Sequence, residues 1–122
     1  MKEIKYSDKI YLVIGDTRHC MRGRYWWTKK EDFLQVNTWR LPIGQKIQSE
    51  VYETKIDKNN KAMEMLIVLC GRVKCEVYNE DNIKINEIII LPRELAILYR
   101  GKYIFEILDN GTNVIEVKNK IC

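Results

Sequence analysis

The stretch that most constrains the fold is AMEMLIVLCGRVKCEVY, residues 62–78. Its first arm, Met63–Cys70, is apolar at nearly every position, which is typical of a strand covered on both faces. Gly71 follows, and glycine readily takes the positive φ that a tight hairpin needs. The second arm alternates apolar and charged side chains from Arg72 to Val77, with the period of two of a half-buried antiparallel strand. This stretch therefore predicts a β-hairpin at the centre of a closed or double-layered sheet.

Similar short segments continue along the whole chain, and no long helical pattern interrupts them. Pro42-Ile43-Gly44 and Asn110-Gly111 are strong breakers, and Asn-Gly is a strong hairpin signal. The spacing of Thr28 and Glu31 fits a capping box, so a single helical turn is predicted there. Short strands at such spacing indicate an all-β sandwich or barrel. The predicted strands are 9–15, 18–27, 33–41, 46–55, 63–70, 72–78, 83–91, 95–99, 103–108 and 113–118.

Length and composition fit one soluble domain. The 122 residues can bury a hydrophobic core without stabilising disulfides or metal ions, so a single domain over residues 1–122 is expected. The 46% apolar and 31% charged residues are ordinary for a globular protein, and no run approaches the roughly 18 apolar residues of a membrane span. The N-terminus breaks its apolar residues with charges, unlike a signal peptide. We therefore expect a cytoplasmic protein that makes no contact with membranes.

The four cysteines are expected to be free thiols, because a reducing compartment disfavours disulfides. They are Cys20, Cys70, Cys75 and Cys122, and Cys75 is predicted to point into the core. Neither Cys70 nor Cys75 has a partner at metal-site spacing, which argues against a zinc site.

A basic and aromatic segment lies between Arg18 and Lys30. Basic residues interleaved with aromatic rings can bind single strands or nucleotides, or can be cations beside core aromatics. Acidic residues at positions 16, 31 and 32 dilute the charge, which argues against nucleic acid and favours a small anionic ligand.

The order of strands and breakers resembles the cupin superfamily, a small jelly-roll barrel. Gly44 opens the matching stretch, Glu64 stands with six residues between it and Gly71, and Pro92 marks the later strand element. The FLQV strand, the G-x-x-I after it and IEVK at Ile115–Lys118 resemble small cupins of bacterial polysaccharide and nucleotide-sugar genes. The resemblance covers roughly residues 5–118. It implies an all-β, single jelly-roll barrel, also described as a double-stranded β-helix, that pairs into a homodimer.

The resemblance fails at the metal ligands. The two histidine positions of the first cupin motif fall on Glu50 and Tyr52, and the third falls near Ile97 or Tyr103. Glu64 alone remains of the ligand set, and the only histidine, His19, lies in another strand. Cupin metals need imidazole ligands. The sequence therefore predicts a cupin without a metal or other cofactor.

Period-two geometry combined with this resemblance predicts a polar cluster in the barrel mouth. The side chains of Gln48, Glu50 and Tyr52 would share the cavity with Glu64. Two neighbouring carboxyl groups cannot both ionise cheaply, so the pKa of one should rise, and a protonated carboxyl beside a tyrosine is an acid/base pair. The catalytic candidates are Glu50, Tyr52 and Glu64. The ligand-binding candidates are Gln48, Trp39, Tyr103 and Arg24.

Three functions stay open on these grounds. The first is non-catalytic or regulatory binding of a small anionic or sugar-nucleotide-like ligand. The second is a metal-independent sugar-nucleotide isomerase or epimerase, and the third is a structural dimerisation partner whose polar cluster merely fills a cavity. Because Met63–Cys70 is apolar on both faces, a homodimer is predicted to bury the outward side chains of Met63, Met65 and Ile67.

Overall fold

The computed structural model describes residues 2–19, 22–51 and 63–119. These residues form eleven β-strands and one 3-10 turn, Thr17–His19, which confirms the all-β class. Within them, no helix is long and apolar enough to cross a membrane. The strands are β1 (Lys2–Tyr6), β2 (Lys9–Ile14), β3 (Gly23–Trp26), β4 (Leu34–Arg40), β5 (Lys46–Val51), β6 (Glu64–Cys70), β7 (Val73–Tyr78), β8 (Lys84–Ile90), β9 (Leu95–Leu98), β10 (Gly101–Ile107) and β11 (Asn113–Asn119).

The strands form two main antiparallel sheets and one separate hairpin. The five-stranded sheet has the order β3-β4-β11-β6-β9, and the four-stranded sheet has the order β5-β10-β7-β8. Chain neighbours are often not sheet neighbours, so the connections cross between the sheets as in a jelly roll. Within the described ranges, strands β1 and β2 pair only with each other.

Both strands and the turn predicted within residues 62–78 are present, but the prediction that the strands pair as a hairpin is wrong, because β6 and β7 lie in different sheets. Gly71 links β6 to β7 with a φ of 78°, so the positive φ is confirmed. A Cβ at this position would lie 2.1 Å from Thr112 Oγ1 and 2.7 Å from Thr112 Cα. Glycine is therefore required by backbone conformation and by space together.

The core lies between the two sheets and is built from their inward side chains. Trp39 and Phe105 are fully buried, with ring centroids 5.8 Å apart in an edge arrangement. Cys75 is buried as predicted, and burial followed by the charge of Glu76 raises the pKa of its thiol to about 12. Cys70 is exposed and free, whereas Cys20 and Cys122 lie outside the described residues.

Three further local predictions differ from the structure. Strand β1 was not predicted, because its charged residues hide the alternation that pairs it with β2. The predicted strand 18–27 is shortened to β3, since the segment before it forms the 3-10 turn. Residues 28–31 form a turn in which Asp32 Oδ2 accepts from the Lys29 amide at 2.8 Å, instead of a helix. The strand predicted over 46–55 is confirmed as β5 up to Val51, and its remaining residues lie outside the described ranges.

Candidate functional site

The inside of the barrel has two chemically different ends. Along β6 the inward side chains are those of Glu64, Leu66 and Val68, and along β11 they include Val114 and Glu116. Val68 and Val114 are cross-strand partners at the apolar end. Both glutamates lie toward the other end of these strands. One half of the barrel is thus an ordinary hydrophobic core, and the other half is polar.

The centre of the polar end is a pair of buried carboxyl groups. Glu64 is 3% exposed and Glu116 is 1% exposed. Glu64 pairs across the strands with Lys118, so Glu116 is its diagonal neighbour on the same inward face. Diagonal neighbours are within reach of long side chains, and the two carboxyl groups hydrogen-bond to each other. Two buried carboxyl groups this close can share one proton.

The proton of this pair resides on Glu64. Burial, followed by the hydrogen bond and negative charge of Glu116, raises the pKa of Glu64 to about 8. Among the described residues no donor faces Glu64 Oε1, so a proton on this oxygen, donated to Glu116, satisfies it. Ser49 Oγ donates to the other oxygen, Oε2. Glu64 is therefore a neutral acid near pH 7 in this structure.

Glu116 carries the negative charge of the pair. Burial by itself would raise the pKa of Glu116, but hydrogen bonds from Glu64 and Asn37 and the charges of Arg24 and Lys118 outweigh it and lower the pKa. Asn37 Nδ2 donates to Glu116 Oε1 at 2.6 Å, and an Arg24 guanidinium nitrogen donates to the same oxygen at 2.7 Å. The polar end thus holds one proton, one carboxylate and one guanidinium in contact.

Two tryptophan side chains contact this network, the buried Trp39 through a hydrogen bond and the exposed Trp26 through its ring. Trp39 Nε1 donates to Asn37 Oδ1 at 2.7 Å, which fixes the amide so that its NH2 group faces Glu116. The exposed ring of Trp26 lies 5.3 Å from the Arg24 guanidinium carbon and 5.5 Å from the Lys118 ammonium nitrogen. Such distances are typical of cation–π contacts. An aromatic ring flanked by two cations therefore borders the buried network.

The prediction that Gln48 and Glu50 line the interior is wrong. Along β5 the inward positions are Ile47, Ser49 and Val51, whereas Gln48 and Glu50 are exposed on the outer face. Their side chains bond to each other, with Gln48 Nε2 donating to Glu50 Oε1 at 3.0 Å. Because side chains alternate between faces, choosing the wrong parity moved every side chain of this strand to the wrong side.

The other predicted site residues have mixed positions. Arg24 belongs to the buried network, and Trp39 supports it as a fully buried core side chain. Tyr103 points inward opposite Ser49, and its hydroxyl donates to the Arg100 carbonyl. Tyr52 lies outside the described residues. The functional roles assigned to these residues, and to Gln48 and Glu50, stay predictions.

Sequence reasoning missed three members of the cluster, namely Ser49, Asn37 and Glu116. In β11, Ile115 and Val117 look like the core positions, and Glu116 between them looks like a solvent-facing charge. The structure reverses this assignment, because Ile115 and Val117 face outward. A strand with apolar residues on one face and a charge on the other gives no signal that the charged face is the buried one.

Comparisons with known proteins place this geometry in a known fold. No protein-family model and no curated protein matches the sequence. The cupin domain of Cnp3 from Schizosaccharomyces pombe superposes with a TM-score of 0.67 at 12% identity, covering 93% of this chain and 77% of that one. The Cupin_2 domain of an XRE family transcriptional regulator from Enterobacter cloacae gives 0.58 at 9% identity, covering 81% and 96%. The protein has the cupin fold.

A longer protein contains the same cupin fold. The capsular polysaccharide assembling protein CapF from Staphylococcus aureus superposes with a TM-score of 0.60 at 17% identity, covering 93% of this chain but only 32% of CapF. Identities this low show a shared fold, and a fold of this kind supports many different activities.

The interior donors of this barrel do not fit the imidazole-rich metal site that the resemblance to cupins would imply. Within the described ranges, no group of three or more His, Cys, Asp or Glu side chains could surround a cation. Glu64 is engaged by Ser49 and Glu116, and Glu50 faces outward. A protonated carboxyl group bonded to a second carboxylate is a poor ligand, since ligands must be deprotonated to bind.

Proposed function

We propose that this cupin binds a small anionic ligand of the sugar-nucleotide type at the polar end of its barrel, without a metal and without turning the ligand over. The observation that carries the proposal is the buried network of Arg24, Asn37, Ser49, Glu64 and Glu116. Removing charged groups from water costs several kcal/mol per ion unless they are paired. Apolar side chains at this end of the barrel would avoid that desolvation cost. A fully paired polar network is therefore better explained by recognition of a ligand than by stability.

The chemistry of the network suits such a ligand. Carboxyl, amide and hydroxyl groups can exchange hydrogen bonds with sugar hydroxyls, and the exposed Trp26 ring offers a stacking surface. Arg24 and Lys118 flank this ring and supply positive charge for phosphate groups. The contact of Glu116 with Arg24 neutralises the site, so a phosphate would approach without meeting a net negative charge.

The structural neighbours agree with this proposal without deciding it. One is a domain of a transcriptional regulator, which fits a regulatory binder, and another is CapF, a capsular polysaccharide assembling protein. We place the chain in the cytoplasm, where nucleotide sugars are available. Its proposed partners are a small-molecule ligand and a second copy of itself.

A second candidate is a metal-independent isomerase or epimerase of sugar nucleotides. It is favoured by the pair in which Glu116 is ionised and Glu64 is protonated near pH 7. Glu116 could accept a proton from a carbon next to a keto group while Glu64 returns one at another position, so that protons balance. Tyr52, assigned to this role from the sequence, could complete the set. A structural partner without any ligand is the remaining alternative.

The test is thermal melting of the purified protein with nucleoside diphosphate sugars, the corresponding nucleoside diphosphates and free sugars, each with divalent metal ions or EDTA. Saturating ligand should raise the melting temperature by about 5 °C or more. Arg24→Gln should abolish the shift, whereas Glu87→Gln, which removes an exposed charge on the outer face of the four-stranded sheet, should retain it.

Other results would redirect the proposal. A shift that needs a metal ion would contradict the metal-free site. Conversion of a bound sugar nucleotide that is lost in Glu64→Gln while binding persists would establish the isomerase. No shift with any compound would leave the structural partner as the function.

A further inference from the structure

A groove of about 710 Å³ lies between the β1–β2 hairpin and the outer face of the five-stranded sheet. Val36 and Ile115 line it from the sheet, and Ile10 and Val13 line it from the hairpin. Ile10 is 44% exposed and Val13 is 37% exposed, so the groove is open to solvent although its walls are apolar. Its volume is within the range of about 300–1,000 Å³ that is typical of ligand pockets.

A register shift in the hairpin directs two apolar side chains into this groove. The pairing of β1 with β2 shifts between Ile4 and Lys5, which leaves Tyr11 as an extra residue of β2. In a regular strand, Ile10 and Val13 would point to opposite sides, because they are three positions apart. The extra residue brings both to one side, as a β-bulge does. The apolar wall is therefore built into the hairpin.

The aromatic wall of the groove is fixed in place. A Cβ on Gly15 would lie 2.4 Å from two ring carbons of Trp27, so only glycine lets this ring lie against the backbone where the hairpin ends. Trp27 Nε1 donates to Thr38 Oγ1 at 3.2 Å. The ring of Tyr25 meets the Trp27 ring at a centroid distance of 4.8 Å and an angle of 67°. The indole is thus a preformed apolar surface whose single polar group is already bonded.

The charged groups of the groove leave one ammonium available to a ligand. Asp32 Oδ2 accepts from the Lys29 amide at 2.8 Å, and Glu3 Oε1 lies 3.1 Å from the Lys5 ammonium. Within the described ranges no carboxylate lies at ion-pair distance from the ammonium of Lys29, which also lines the groove. The two cations that flank Trp26 add positive potential at the rim. The groove therefore offers apolar walls and a positive charge.

We propose that this groove binds a medium-chain fatty acid, with its carboxylate on the Lys29 ammonium and its chain between the hairpin and the sheet. A carboxylate complements the ammonium. Tyr25 and Trp27 meet edge to face, so they form no slot of parallel rings for a planar ligand, whereas a flexible chain adapts to mixed aliphatic and aromatic walls. The free acid is favoured over a lipid bilayer, because Ile10 and Val13 face the groove and not the outside.

This site goes beyond the proposed function, because it lies on the other side of the five-stranded sheet. The groove is on the outer face of that sheet, whereas the Glu64–Glu116 pair is on the inner face. Trp26, on the edge strand β3, borders both sites. A wild type that binds a fatty acid but no sugar nucleotide would sustain this site and overturn the proposed function alone.

The test is isothermal titration calorimetry of the full chain with decanoate, and with decanol as the uncharged control. The wild type should bind decanoate with a micromolar dissociation constant, and the enthalpy should become more negative at higher temperature because apolar surface is buried. Lys29→Gln should weaken decanoate binding about fivefold and leave decanol binding unchanged. Lys30→Gln removes the same charge at the next position, outside the groove lining, and should change neither by more than about twofold.

The hairpin supplies a second matched pair of variants. Val13→Glu places a carboxylate in the groove and should weaken decanoate binding at least about 10-fold. Leu12, which is 46% exposed, precedes Val13 and points to the opposite side of β2, so Leu12→Glu should stay within about threefold of the wild type. Val13→Glu should also retain any thermal shift with a sugar nucleotide, which separates a failure of the groove from a failure of the barrel site.

Each result decides the inference. No binding by the wild type at about 1 mM decanoate would overturn it, including the case in which a second copy of the chain covers the groove. Equal affinities for decanoate and decanol would overturn the role of Lys29, and equal losses in Val13→Glu and Leu12→Glu would overturn the assignment to the groove.

Circular dichroism checks that each variant folds. If Val13→Glu does not fold, quenching of tryptophan fluorescence by 10-bromodecanoate replaces it, because a chain in the groove lies against Trp27. Binding of this compound without quenching would overturn the assignment to the groove.

Discussion

The two ends of the barrel interior use the same strands for different purposes. At one end Val68, Val114 and Phe105 pack as a hydrophobic core, and at the other Glu64 and Glu116 share a proton. The apolar end gains stability from burial, since each large side chain removed from water contributes about 1.5–3 kcal/mol. The polar end must satisfy every donor and acceptor merely to offset its desolvation. Stability and recognition are thus separated along each strand.

The largest change in the free energy of unfolding is expected when a core side chain at the apolar end is truncated. Phe105→Ala should lower the free energy of unfolding by about 3–5 kcal/mol, because it leaves a cavity between Trp39 and Tyr103. Phe33→Ala is the matched control: Phe33 is 68% exposed and Phe105 is 1% exposed. The control should stay within about 0.5 kcal/mol of the wild type. Urea unfolding measures both, and a loss in Phe105→Ala as small as that in Phe33→Ala would break the comparison.

A smaller effect is expected at the turn that closes the apolar end. Gly71 and Gly111 both have a φ of 78°, but a Cβ would clash with Thr112 at Gly71 and meet nothing within 4 Å at Gly111. Gly111→Ala should cost about 1–2 kcal/mol for the backbone conformation alone. Gly71→Ala should cost about 1–3 kcal/mol more for the clash. Equal melting curves for the two variants would show that Thr112 moves aside freely.

The smallest effect is the change in the free energy of unfolding per pH unit that the carboxyl pair of the polar end produces. The pKa of Glu64 is about 8 in the folded protein and 4.5 in a model compound. Between these values the folded protein holds a proton that the unfolded chain has lost, so stability falls as pH rises. The slope cannot exceed about 1.4 kcal/mol per pH unit for one proton. Glu64→Gln, which mimics the protonated acid, should remove this slope and be more stable than the wild type at pH 7.

Urea unfolding at several pH values from 4.5 to about 8 tests this prediction directly. Glu116 contributes in a different window, because its lowered pKa makes stability fall as pH drops below the ordinary range of a carboxyl group. Parallel curves for the wild type and Glu64→Gln above pH 4.5 would mean that the pair does not hold its proton on Glu64.

Much of the fold was predictable, because strand patterns are local. The two strands within residues 63–78, the glycine turn at Gly71 and the buried Cys75 all follow from alternation and breaker residues, and the structure confirms them. The pairing of the two strands as a hairpin was wrong, because each strand joins a different sheet. The two-sided apolar character of Met63–Cys70 also holds, with Leu66 inside and Ile67 on the outer face of the five-stranded sheet. The homodimer drawn from that pattern stays a prediction.

The candidate site was only partly predictable, because it depends on which face of each strand is buried. Glu64 and Arg24 were expected and do lie in the network, yet Gln48 and Glu50 were placed inside and lie outside. Ser49 and Glu116 were overlooked because the faces of their strands that carry them were expected to point outward, whereas both side chains face inward. A period of two defines two faces without saying which one is inside, and an apolar outer face removes the usual clue.

The sequence by itself determined the class of fold, since apolar alternation, glycine turns and the absence of helical periodicity act over a few residues. It predicted a second carboxyl group beside Glu64, but it named Glu50, which lies on the outer face. Only the tertiary structure decided that its partner is Glu116, distant in the chain, because register between non-consecutive strands is set when the sheets close around a common core. The proton on Glu64 follows from that closure, since desolvation exists only once the barrel has formed.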